Sequence, residues 1–280
     1  MDLRKDPRCF AMKFENVAVY ILQNLDVLWT FSLLIARYTG LFMMMPGLGQ
    51  GADGLRIRAP AIIVLTLASI PTMRPGALPN DYVVMAAAIG SEFIFGFLIG
   101  LVPKLIVAGV QLGAQLASTT MGLSASALFD PSTGTVASDL SRIQSELTIL
   151  IFLLLGGHYT VMEAVTGLSG QFTPGVFSFD PVTADFLVHK CGEIFKTGAM
   201  VSAPVMVALL LTQFVMGIIS RAVPTVNIFI MSFPLTIGIG MVITVLALPE
   251  VMKYVTNQYS STDNIISVLV ENMTDFKKVP

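Results

Sequence analysis

YVVMAAAIGSEFIFGFLIGLV, residues Tyr82 to Val102, carries a single charge, Glu92, in a run long enough to cross a bilayer. A spanning helix needs about 20 mainly apolar residues. After Pro103 and Lys104 the apolar character continues as LIVAGVQLGAQLASTTMGLSASALF from Leu105 to Phe129. Working outward with the same criterion gives about six apolar regions. The others are Val17 to Met45, Ala59 to Met73, Leu147 to Leu168, Ala199 to Ile219 and Val226 to Met252. The second is short and bracketed by Pro60 and Pro71, so it suggests a partial crossing or a helix buried in protein. Ser220 to Thr225 separates the last two as the turn of a helical hairpin, with Arg221 suited to a helix C-terminus and Pro224 to a helix start. Segment 169 to 198 is the longest polar interruption, expected to hold a loop and a short amphipathic helix. The tail after Lys253 is expected outside the bilayer.

Composition agrees: 54% of the 280 residues are apolar and 12% charged, against roughly one quarter charged in soluble domains. That excludes an ordinary water-soluble enzyme and points to one all-α membrane domain over 1–280. The net charge is −2 and the basic residues are scattered, so nothing resembles the clustered Lys and Arg that hold nucleic acid. Cys9 and Cys191 have neither disulfide-framework nor zinc spacing. The charged N-terminus leads into an apolar run too long for a signal-peptide core, and reads as a retained first span. Lys and Arg fall in loops on both sides, so they do not set the orientation.

Several residues are candidates for function. Gln111, Gln115, Ser118, Gly122 and Ser126 recur at helical spacing as one uncharged polar stripe. Such a stripe lines a wet path or glues membrane helices together. Gly96 with Gly100, and Gly109 with Gly113, have the GxxxG spacing that lets helix backbones approach. Asp130-Pro131-Ser132-Thr133-Gly134 reads as a turn. Arg37 and Glu92 are charges inside spans, each costing about 3 kcal/mol on insertion scales. They form a structural ion pair, or Glu92 carries a proton. His158, beside Gly156 and Gly157, is a relay or a hydrogen-bonding structural group. Met43, Met44 and Met45 fill core gaps or seal around cargo. No GxSxG, HExxH or phosphate-cradling glycine loop occurs, so no enzyme, metal or cofactor is indicated. A proton-coupled small-solute transporter using Glu92 and His158 is the alternative to a binding or assembly role. The internal repeat common in transporters is not evident between 17–130 and 147–252.

GIISRAVPTVNIFIMSFPLTIGIG, Gly217 to Gly240 and including Asn227 and Pro234, resembles the signature of the FliR family of flagellar export-gate subunits, whose virulence relatives are the T-type subunits of type III secretion. MGLSASALFDPSTG, Met121 to Gly134, is similar to that family's central loop. Gly157-His158, Glu92 with Gly96 and Gly100, and Arg37, Gly40 and Pro46 fit in the same order. Gln115 and Ser118 depart from the commoner Glu and Gly, and Val223, Thr225 and Ser232 from Ala, Gln and Gly.

The resemblance implies a non-enzymatic subunit without cofactor. It would be present once in a spiral hetero-oligomeric gate with P-type and Q-type subunits, near B-type and A-type ones. The gate would lie in the bacterial inner membrane at the flagellar basal body and pass unfolded protein cargo. Residues 14–195 would be P-like, with a pore loop at about 105–134, and 196–280 a Q-like hairpin with a polar tail. The plug carries over onto Gln111 to Phe129, taking in Gln115, Ser118, Thr119, Thr120, Met121, Gly122 and Ser124. Arg37, Pro46, Glu92, Gly96, Gly100, Asp130, Pro131, Gly157, His158, Arg221, Pro224, Asn227 and Pro234 would fix helix contacts.

Overall fold

Apolar runs in a membrane must satisfy their own backbone hydrogen bonds, and helices do so within one segment. The computed structural model describes residues 25–47, 51–70, 78–123, 139–166, 181–222 and 228–274, and these are almost wholly helical. In chain order they are α1 (Leu25–Met44), α2 (Gly51–Ser69), α3 (Tyr82–Met121), α4 (Asp139–Leu154), α5 (Gly157–Thr166), α6 (Pro181–Ala222), α7 (Ile228–Ser260) and α8 (Thr262–Thr274). Ser124, Ser126, Phe129, Asp130, Pro131, Pro224 and Asn227 lie outside the described residues.

Among the described residues, four helices are long and apolar enough to cross a membrane: α1, α3, α6 and α7 with its continuation. A fifth crossing results if α4 and α5, bent by 64° at their junction, are counted as one span. The expectation of about six is corrected at α2. Asp53, Arg56 and Arg58 crowd its first half, and Pro60 lies inside it.

α3 is one helix of 40 residues running through Pro103. Asp81 caps it, accepting a hydrogen bond from the Val83 amide at 3.1 Å, and so satisfies one of the unpaired first-turn donors. At ~1.5 Å per residue α3 is about 60 Å long, twice the ~30 Å of bilayer hydrocarbon. α6, with 42 residues, is longer still. Both must leave the lipid core at one end at least.

Of the segment 169 to 198, residues 169–180 with any loop there lie outside the described residues, and 181–198 form the first turns of α6, which runs on through position 195. The described part of the tail after Lys253 packs into the chain's own core. α7 continues to Ser260, and Val255, Tyr259, Ile266 and Leu269 are buried in the main core with Phe152, Val161 and Val165 of α4 and α5. The ring of Tyr259 lies 5.2 Å from that of Phe152. Apolar residues spaced three and four apart give the tail a face to bury, a signal hidden by its polar average.

Candidate functional site

α3 is the axis on which the other elements are assembled, and its glycines decide which element packs where. In its first half, a Cβ on Gly96 would run into the carbonyl oxygen of Arg37, and one on Gly100 would come within 2.8 Å of that of Leu41. On α1, a Cβ on Gly40 would strike the carbonyl oxygen of Phe93. The two backbones therefore touch, as small residues permit in membrane helices. In the second half the partner changes to α6. Gly109 faces Thr197, and a Cβ on Gly113 would lie 2.7 Å from the Gly198 carbonyl and from Val201.

At the α1–α3 seam the two in-span charges meet. Arg37 Nε donates to Glu92 Oε2 at 2.5 Å, and a terminal guanidinium nitrogen donates to the Val165 carbonyl of α5 at 3.2 Å. The guanidinium also lies over the Phe95 ring, 4.9 Å from its centre. Both charged side chains are enclosed, at 3% and 0% exposure. One ion pair thus locks three helices. Next to it, the Tyr38 hydroxyl and Ser69 Oγ, 2.6 Å apart, tie α1 to the end of α2.

Buried salt bridges gain little over an apolar replacement, but removing one partner strands the other. Glu92 reaches no solvent, and its carboxylate is committed to Arg37. A proton carrier needs access to water on both sides in turn, whereas among the described residues Glu92 is enclosed against Arg37.

The α3 C-terminus is a second junction. Gly122 takes the left-handed conformation (φ 86°), and its amide bonds back to the carbonyls of Ser118 and Thr119. That ending suits glycine because any Cβ is strained there. α7 covers the cap: Thr236 Oγ1 donates to the Met121 carbonyl at 3.1 Å, a Cβ on Gly122 would lie 2.8 Å from the Phe233 ring, and one on Gly240 would lie 2.6 Å from the Met121 side chain. Ala117, Met121, Val205 and Leu209 form a small core at this point.

The residues expected at the pore differ in burial. Ser118 and Met121 are fully enclosed within this chain. A three-residue step turns them towards α6 and α7. Gln111 and Thr119 are exposed, while Gln115, Thr120 and Gly122 are half-buried.

Of the other expected site residues, Pro46 is buried at the end of α1, Arg221 is exposed in the last turn of α6, and Pro234 is exposed within α7. Gly156 has φ 73°, and a Cβ on Gly157 would lie 2.5 Å from the Phe152 ring. This pair makes the bend between α4 and α5. His158 follows it and stacks on Tyr159 with ring centres 4.0 Å apart; its Nδ1 has no hydrogen-bond partner among the described residues.

Sequence reasoning missed Tyr38, Ser69, Val165, Phe233, Thr236 and Gly240. Ser and Tyr inside apolar runs were available signals, because hydroxyls at membrane depth need partners. A backbone carbonyl such as that of Val165 leaves no signal.

Residues 28–262 match the model of a family described as bacterial export proteins, family 1. Flagellar biosynthetic protein FliR of Pectobacterium carotovorum is 24% identical over 249 residues, 88% of this chain and 93% of the relative. FliR of Bacillus subtilis is 24% identical over 243 residues, 85% and 93% of the two chains. Yop proteins translocation protein T of Yersinia pestis is also 24% identical over 249 residues, 87% of this chain and 95% of the relative. Flagellar and virulence relatives are thus equally similar here, and both match over most of their length.

Proposed function

The chain belongs to the bacterial export proteins, family 1, and from that membership we propose that it is a subunit of the flagellar type III export gate. In this reading it sits in the inner membrane at the basal body, in one copy, with P-type and Q-type subunits, and B-type and A-type subunits lie close by. It forms part of the channel through which unfolded flagellar proteins leave, and the end of α3 with the segment after it serves as part of the plug.

The observation that carries the proposal is the bare apolar face of α6. Val188, Phe195, Leu210, Leu211, Phe214 and Ile218 are all exposed by more than half. From Val188 to Ile218 they extend about 45 Å along the helix at ~1.5 Å per residue. Bilayer hydrocarbon covers only ~30 Å, so lipid alone leaves part of that face in water. Partner helices would cover it, and exposed apolar patches of this extent mark interaction surfaces.

Plugging is supported by the uncharged polar surface of Gln111, Gln115, Thr119 and Thr120 leading to the Gly122 cap. Such a surface binds no particular charge pattern in passing cargo. Purifying the tagged chain in mild detergent, co-expressed with its genomic neighbours, tests the assembly. Native mass measurement should find one copy with several copies of two other small hydrophobic proteins. A lone monomer or homodimer would instead favour the transporter. For the plug, Thr119→Glu is the informative variant, because Gly122 is also needed by the fold. It should raise small-ion leakage or lower export with assembly intact, and unchanged leakage and export would remove the plug assignment.

A further inference from the structure

A cleft of about 510 Å³ opens where α1 ends, α4 begins and α3 passes its midpoint. Three cations from three helices line it: Arg58 of α2, Lys104 of α3 and Arg142 of α4. The acid in its wall is Glu146, and Gln111 and Ser145 add neutral polar groups. Among the described residues, no hydrogen bond or ion pair engages Lys104 or Arg142. Lys104 is half-buried between two long apolar runs, where an uncompensated ammonium is costly.

We propose that this cleft holds the phosphate headgroup of an anionic phospholipid. Basic pockets between membrane helices bind such headgroups, each Lys or Arg adding to the attraction. The level is right, because α1 ends at Met44 and its turn, Met45 to Gly47, forms part of the wall. Helix ends and charged side chains gather at the interface between hydrocarbon and water. The volume equals that of roughly 17 waters at ~30 Å³ each, enough for a phosphodiester with part of its hydration shell.

The apolar part of the wall distinguishes a lipid from free phosphate. Met45, Val107 and Ile149 line the cleft beside its cations, as an acylated ligand requires and an inorganic ion does not. The lipid would cement α2 and α4 to the middle of α3 independently of the gate reading.

The test uses the full chain, purified with its co-expressed neighbours and titrated with phosphatidylglycerol or phosphatidylcholine, with retained lipid read by native mass spectrometry. Phosphatidylglycerol should be retained preferentially. Lys104→Gln with Arg142→Gln should weaken it about 25-fold, taking about fivefold for each basic side chain. Lys104→Arg with Arg142→Lys should preserve retention, and Lys253→Gln, at an exposed position on α7, should leave it unchanged. Equal retention of the two lipids by the unmodified protein overturns the proposal without any variant. So does displacement by inorganic phosphate at matched concentration, which would assign a free-anion site. A preference present in the isolated chain but absent from the complex also overturns it, and would assign the cleft to an acidic segment of a neighbouring subunit.

Discussion

α1 with α3, and α6 with α7, are both pairs of long apolar helices, yet one pair is closed within the chain and the other is left open. About half of the most apolar window of α1 and of α3 (50% and 56%) is buried inside the chain, against 17% for α6 and for α7. Apolar character does not separate them, since all four qualify as spans. Glycine and charge placement do. The closed pair has Gly40, Gly96 and Gly100 in backbone contact and an ion pair across the seam, whereas Gly217 and Gly238 on the open pair meet nothing within 4 Å. A closed seam fixes a fold, and an open one awaits a partner.

The contrast breaks most visibly at the ion pair. Glu92→Ala should strand the Arg37 guanidinium and cost about 3–5 kcal/mol, seen as loss of the chain from the membrane fraction. Arg37→Met with Glu92→Met should recover part of it, because an apolar pair strands no charge. Normal assembly with export abolished by Glu92→Gln would instead revive proton coupling. Next in size, Gly96→Ala should cost about 1–3 kcal/mol by forcing the backbones apart, lowering the thermal midpoint of the detergent-solubilised protein. Gly238→Leu tests the open pair. The isolated chain should keep its midpoint while recovery of the complex falls about tenfold, at the lower end of what overpacking costs. A complex unaffected by Gly238→Leu would mean that this part of α7 faces lipid. Smallest of all, Gly217→Ala should raise stability by no more than about 1 kcal/mol, read as a slightly higher midpoint, because alanine is the better helix former.

Legibility in the sequence followed the range of the interactions. The helices and most spans could be read because a run such as Tyr82 to Val102 has one way to satisfy its backbone in lipid. The GxxxG pairs announced close packing, but not that Gly96 and Gly100 meet α1 while Gly109 and Gly113 meet α6. Helix-to-helix choice is non-local, and nothing near Gly109 encodes Thr197. The sequence shows a span from Tyr82 to Val102 with apolar character continuing after Pro103, and α3 runs through that proline as one helix. A proline forfeits one intrahelical bond, and packing from neighbouring helices offsets the loss. The alternatives left open at Arg37 and Glu92 needed coordinates, since a charge in a span states its cost but not its partner. The polar stripe was legible as a stripe, while its division between enclosed Ser118 and exposed Gln111 depends on where the neighbouring helices lie.

α3 is clamped along both halves by glycine seams, and this gives it the mechanics of a strut. A rod about 60 Å long, with no flexible joint among its described residues, transmits tilt instead of absorbing it. Gly122 lies 26 residues beyond Gly96, about 39 Å away at ~1.5 Å per residue. A pivot of about 5° at the α1 seam would swing the Gly122 end by roughly 3 Å by that same helix rise, about the width of a water molecule. Leverage of that kind would turn a small rearrangement at the α1 seam into a larger displacement at the α7 junction.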